Sequence, residues 1–362
     1  MPKARMMDQP EDFKRLGVNP DVVELWEDGR RDDGRKGSFE WWYFDALLED
    51  GTKAVITFFP KIQKKIRKSG DYPFTRIDIA LPDGSHHAED FTYPAAESYF
   101  SKETCDVRIG PHSVKGDLKE YTIKISPVNG LGADLKLVSK GKPWRPGTAY
   151  FSFGDKGEQY FTWLCVVPKG EISGTITING EKKAVKGFGY HDHQWGNIMH
   201  MFAWNQWIWA RQNFGDYNLV LFDLVTNRKF GYQHYPLCFL QDNDGNLLFE
   251  NTAGTKLEVL EEYFEKETKR NYPKRFRYAI ENRGKKIQYS IKVKEEIEVV
   301  NYYGKLNFFL KCFMAFHGLR PTYIRYEGIG ELIFDEGKKE IKRESNFIYE
   351  MLYAGKKYIK GN

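Results

Sequence analysis

A turn signal that keeps returning constrains this chain more than anything else. Asp50-Gly51, Pro82-Asp83-Gly84, Asn179-Gly180 and Asp244-Gly245 each separate two runs in which apolar and polar residues alternate. Asp-Gly and Asn-Gly accept the positive φ that tight hairpin turns demand. "FEWWYFDALL" and "KAVITFFPKI" flank the first, with a type I′ turn expected between them, and "GEISGTITI" and "EKKAVKGFGY" flank the third. "FRYAIENRGKKIQYSIKV" and "YIRYEGIGELIFDEGKKEIK" repeat the device near the end. Turns about 8–12 residues apart between β-branched and aromatic runs predict an all-β antiparallel sandwich or barrel. Asn19-Pro20 followed by "DVVELWED" predicts one short N-capped helix.

With 362 residues the chain is long enough for two cores. Strand-rich material on both sides of a central motif predicts an N-terminal extension with a short helix (1–36) and two β domains (37–195 and 196–362). The 55 basic and 50 acidic side chains nearly balance, which offers no footprint for nucleic acid. Four scattered cysteines without CxxC spacing read as free thiols of a reducing compartment. The N-terminal "MPKARMMDQPEDFKRLG" has no apolar core, and the longest apolar run, "FFLKCFMAF" at 308–316, is far shorter than the ~20 residues of a spanning helix. A soluble, cytoplasmic protein is expected.

The central motif is "GFGYHDHQWGN", residues 187–197. In a strand, His191 and His193 point the same way, as metal ligands would. Zinc usually takes a third protein ligand, and His200, His234 and His317 carry no spacing signature, so neither metal nor cofactor is expected. As a proton-transfer site, His193 would use a carboxylate such as Asp192 to fix its tautomer or charge, with Trp195 offering a π face to a cation. The plain alternative is a glycine-rich corner whose His and Asp satisfy buried backbone groups. In "FEWWYFDA", Glu40, Trp42 and Phe44 share one strand face, and Glu40 is either a solvated charge or a polar anchor in a pocket. In "MFAWNQWIWARQNFGDYNLVLFDLV", Trp207 and Trp209 share a face, as do Leu219, Leu221 and Asp223. Asp223 is thus an acid ending an apolar stripe, either a strand-end acceptor or a catalytic group. The basic run 61–70 reads as a solvated hairpin end, with a membrane-surface role as the alternative. No P-loop, dinucleotide fingerprint or nucleophile elbow is present.

"FEWWYF" and "GYHDHQWGN" together resemble the lipocalin-like carotenoid 1,2-hydratases (hydroxyneurosporene synthases) of the CrtC/AttH-like superfamily, which includes kievitone hydratase and fungal decalin-forming Diels–Alderases. The resemblance implies two lipocalin-like barrels holding a lipophilic small molecule in or between them. It implies functional roles for the H-x-W pair His193 and Trp195, and for an acid matching Asp223. The Tyr that precedes that acid in the family is Leu221 here, and Tyr217 on the same strand face is the candidate substitute. The resulting expectation is a cofactor-independent hydratase or protonation-driven cyclase. Asp223 would be the acid, His193 its relay partner, Asp192 an accessory carboxylate, and Trp195 with Trp207 or Trp209 would line the path of the cation. Glu40, Trp42, Tyr190, His191, Gln194, Asn197 and Tyr217 would contact substrate. A pericyclase, in which Tyr, Gln194 or Asn197 polarises a carbonyl, and a lipid carrier stay open. Peripheral membrane contact would serve substrate access.

Overall fold

A computed structural model describes residues 3–252, 255–335 and 340–359. The chain forms two compact units, one of Arg5–Ser152 and Glu158–Met199, the other of Met1–Ala4, Phe153–Gly157 and His200–Asn362. Residues 5–36, expected as an extension, therefore belong to the first unit.

The early strands are β1 (Ala4–Met6), β2 (Phe39–Leu48), β3 (Lys53–Phe59), β4 (Phe74–Ala80), β5 (His86–Thr92), β6 (Ser98–Phe100) and β7 (Asp106–Ile109). They continue with β8 (His112–Gly116), β9 (Glu120–Val128), β10 (Leu131–Ser139), β11 (Tyr150–Phe153), β12 (Gln159–Ile178) and β13 (Glu181–Gly196). The main order is β5-β4-β3-β2-β13-β12-β10-β9-β8-β7-β6, with β11 joining β1 and β12. Alternation does the folding: β9 and β10 bury every second residue, so that Tyr121, Ile123, Ile125, Leu135 and Leu137 enter a core shared with Trp42, Phe44 and Trp195.

The second unit holds β14 (Trp204–Asn213), β15 (Tyr217–Thr226), β16 (His234–Asp242), β17 (Leu247–Asn251) and β18 (Thr255–Glu265). It also holds β19 (Arg270–Asn282), β20 (Lys285–Val300), β21 (Leu319–Asp335) and β22 (Glu340–Gly355). Their order is β17-β16-β15-β14-β22-β21-β20-β19-β18. The core is rich in tyrosine, with Tyr272, Tyr278, Tyr289, Tyr326 and Tyr349 all buried. Both sheets are curled and antiparallel, and the protein is all-β.

Three local readings need correction. The helix lies at Pro10–Leu16, with Pro at its first position and the Gln9 amide donating to Asp12 (3.2 Å). Asn19 instead accepts from the Asp21 amide (3.0 Å) in an Asx turn, and "LWED" forms only a short 3₁₀ turn, Leu25–Asp28. Asn179-Gly180 has positive φ at both residues, as a type I′ turn requires, but of Asp50-Gly51 only the glycine does. The motif at 187–197 is no corner: through Gly196 it lies within β13, between β2 and β12. Its glycines serve close packing, because a Cβ on Gly187 would stand 2.2 Å from the Leu47 carbonyl oxygen and one on Gly196 2.5 Å from that of Tyr160. Gly187→Ala should lower unfolding stability by about 1–3 kcal/mol through overpacking, measurable by urea denaturation, and an unchanged midpoint would refute this account.

Candidate functional site

The register between β2 and β13 builds the first unit's polar centre. Trp195 pairs with Glu40, His193 with Trp42 and His191 with Phe44, so two alternating stripes fall on one face. His193 is stacked on Trp42 (4.7 Å between ring centres) and tilted against Trp195 (4.6 Å), while His191 stacks on Phe44 (4.0 Å). Each imidazole meets an acid. His193 Nε2 lies 2.8 Å from Glu40 Oε1, and its Nδ1 faces the Glu27 carbonyl at 3.2 Å. His191 Nε2 lies 3.2 Å from Asp28 Oδ2, which also accepts from the Tyr121 hydroxyl at 2.6 Å, and His191 Nδ1 faces the Tyr43 carbonyl at 2.9 Å.

Burial, opposed by bonds from the Arg31 and Asp32 amides, pushes the Glu40 pKa up to about 8. Burial also pulls that of His193 down to about 3. The pair is therefore neutral: Nδ1–H donates to the Glu27 carbonyl, and Nε2 accepts from the protonated Glu40 carboxyl. This network grips the segment before β2. Glu27 pairs with Arg145 (2.6 Å), the Asp28 carbonyl accepts from Trp42 Nε1 (2.9 Å), and Arg30 pairs with Asp71 (2.6 Å).

Asp192 is not the partner of His193, because adjacent strand residues point to opposite faces. On the other face it accepts from the Tyr190 hydroxyl (3.0 Å), Trp163 Nε1 (3.2 Å) and Gln194 (3.3 Å), and burial raises its pKa to about 6. Trp195 donates to the Tyr150 hydroxyl (3.1 Å). Asn197 ties down the start of β12, accepting from the Tyr160 amide (2.7 Å) and donating to the Glu158 carbonyl (3.0 Å).

Asp223 belongs to the second unit and takes a different histidine. Its carboxylate is bonded to His234 Nε2 and accepts from the Tyr278 hydroxyl at 2.8 Å. Asp223 thus bonds His234 and not the expected His193, and the phenol beside it is that of Tyr278 on β19. Tyr217 sits at the other end of β15, about 20 Å along the strand, against Phe334. Trp207 and Trp209 flank Ile208, which pairs with Asp223, so they point to the face opposite the acid. Burial works to lower the His234 pKa, but the Asp223 carboxylate, by charge and hydrogen bond, holds it above the ordinary value. The His234 side chain keeps 16% of its surface exposed, whereas that of Asp223 keeps 3%. The same interior carries two buried hydroxyls without a hydrogen-bond partner, those of Tyr349 and Tyr358. Sequence reasoning had no means of finding Tyr278, which is 55 residues from its partner; His234 was visible only as a histidine without spacing.

One group of metal-ligand type occurs among the described residues: atoms of Asp28, Cys105 and His191 lie within 4.8 Å of one another. The set fits a cation poorly, because Asp28 already accepts from Tyr121, and burial raises the Cys105 pKa and keeps it a neutral thiol.

Two curled antiparallel sheets, each holding an acid–imidazole pair, define an all-β protein. Residues 30–304 match the AttH-like family, and the chain belongs to it. It is 24% identical over 204 residues to the quinolone epoxide rearrangement protein asqO of Emericella nidulans, covering 52% of this chain and 54% of that one. It is 25% identical over 206 residues to a hydroxyneurosporene dehydrogenase of Chlorobaculum tepidum, covering 48% and 53%. The chain thus spans about half the length of these curated relatives. The crystal structure of CghA with Sch210972 shares the fold at TM-score 0.63 and 14% identity, over 94% of this chain and 98% of that one.

The raised Glu40 and lowered His193 values set a stability optimum. Burying Glu40 uncharged contributes stability that is complete below its unfolded value of 4.5 and is lost as pH rises to about 8. Burying His193 neutral contributes stability present above 6.5 and lost as pH falls towards about 3. Melting temperature should therefore fall between pH 6 and pH 9, and Glu40→Gln should flatten that limb; an equally steep fall in the variant would refute the assignment.

Proposed function

We propose that the protein is an enzyme that converts an oxygen-bearing lipophilic small molecule by acid catalysis, with His234 as proton donor, Asp223 as the carboxylate that keeps it charged, and Tyr278 as the brace of that carboxylate. The observation that carries this is the Tyr278–Asp223–His234 chain, in which Nε2 is held by the carboxylate and the imidazole, 16% exposed, has its other nitrogen for a substrate. Reachability favours this pair over Glu40–His193, which is wholly enclosed and already bonded to backbone amides.

The acid's strength narrows the reaction. A histidine with a raised pKa is too weak an acid for an isolated alkene, which needs a far stronger one. It suits a basic oxygen such as that of an epoxide or carbonyl. His234 Nδ1–H would give its proton to that oxygen as a C–O bond opens or a carbonyl is polarised. Water or an internal carbon or oxygen nucleophile then captures the carbon and loses a proton, which returns the imidazole to its charged form. The unpartnered hydroxyls of Tyr349 and Tyr358 are suited to bond a substrate oxygen. The epoxide rearrangement named for the relative from Emericella nidulans supports this class, and rearrangement or cyclisation is favoured over hydration of a bare alkene.

A second reading rests on Glu40, a carboxyl kept protonated at neutral pH and bonded to an imidazole lying between Trp42 and Trp195. Such an acid in an aromatic box suits alkene protonation and hydration.

Turnover of lipophilic epoxides separates the two. His234→Gln should lower turnover by about 10²–10⁴-fold with the fold intact. Asp223→Asn should move the alkaline limb of the pH–rate profile to lower pH, because the group that raises the His234 pKa is gone. Full activity in both variants, with loss in Glu40→Gln, would transfer the role to the first unit. Tight binding without conversion by the wild type would mark a carrier.

A further inference from the structure

Between β20 and β21 lies α1, the helix Phe308–Phe316, capped by the Asn307 side chain, which accepts from the Leu310 amide at 2.9 Å. It reverses the pattern of a soluble amphipathic helix. Met314 faces inward and is buried with Leu319 and Ala354, and Tyr303 and Leu306 pack beside them. The outward face is aromatic: Phe308 is 73% exposed, Phe309 83% and Phe316 86%, and Phe313 is about half exposed. Residues 308, 309, 313 and 316 fall on one side at 3.6 residues per turn. So large an apolar cluster does not stay exposed to water without a partner.

Charge says which partner. From Asn301 to Tyr326 the sequence has no Asp or Glu, while Lys305 lies three residues before the helix and Lys311 one turn beyond Phe308, at the edge of the aromatic side. Two copies meeting through this face would bring those lysines together, which opposes self-association. An anionic lipid surface satisfies both halves of the pattern: acyl chains take the phenylalanines and headgroups take the lysines. Among the described residues no helix is long and apolar enough to cross a membrane, and nine residues rise only about 14 Å.

We infer that the helix Phe308–Phe316 is a membrane-surface anchor that lies in the headgroup layer of an anionic bilayer and holds the second unit at the lipid surface. This assignment is independent of the reaction proposed above, since none of its residues touches Asp223, His234 or Tyr278.

The test is co-sedimentation of the full chain with vesicles of phosphatidylcholine alone or with about 30 mol % phosphatidylserine. The wild type should pellet with the anionic vesicles, and F308S/F309S/F316S should lose roughly tenfold or more of that binding. These side chains are solvent-facing, so an unchanged melting temperature should confirm that the variant folds. K305E/K311E, which keeps the aromatic face, should lose binding to anionic vesicles only. Wild-type protein left in the supernatant with both compositions, or a triple variant that pellets like the wild type, would overturn the inference. So would a concentration-dependent dimer, abolished by the triple variant, in protein that ignores vesicles.

Discussion

Everything in the first unit hangs on one strand pairing. The antiparallel register of β2 on β13 sets Glu40, Trp42 and Phe44 opposite Trp195, His193 and His191. A slip of one residue would turn all of one stripe to the other face and leave each imidazole without its carboxylate. Aromatic stacking and the acid–imidazole bonds therefore specify the register as much as they profit from it. Glycines at 187 and 196 make it reachable, since backbone carbonyls occupy the space their side chains would need.

The two units solve a similar electrostatic problem with opposite results. In the first, the Glu40–His193 pair is so enclosed that burial neutralises both members, and their bonds are spent on a chain segment. In the second, the Asp223 carboxylate outweighs burial and keeps His234 above its ordinary pKa, at a position water can still reach. Enclosure favours a fixed neutral hydrogen bond, whereas partial access favours a group that can exchange its proton.

Much of this was legible in the residues because strands obey a period of two. The face shared by Glu40, Trp42 and Phe44, the common direction of His191 and His193, and the acid ending the Leu219–Leu221–Asp223 stripe all follow from counting. What failed needed distance. Alternation along a single strand cannot say which strand lies beside it, so neither Glu40 opposite Trp195 nor Tyr278 beside Asp223 could be read locally. Asp192 was paired with His193 because the two are neighbours in sequence, when that very adjacency sends them to opposite faces. The helix at Pro20 failed for a related reason: Glu27 and Asp28 look like a solvated helix end, yet both are buried and bonded to Arg145, Tyr121 and His191.

Those last contacts have a temporal side. Glu27 and Asp28 join partners 93 to 166 residues further along the chain. At a synthesis rate of about 5–20 residues per second, roughly ten to thirty seconds separate the emergence of Asp28 from that of His191. Over that interval the Asp28 carboxylate lacks its histidine partner, although Arg30 already has Asp71 and the Asp28 carbonyl already has Trp42. Glu27 and Asp28, made early, thus gain their full set of bonds only when β13 has joined β2.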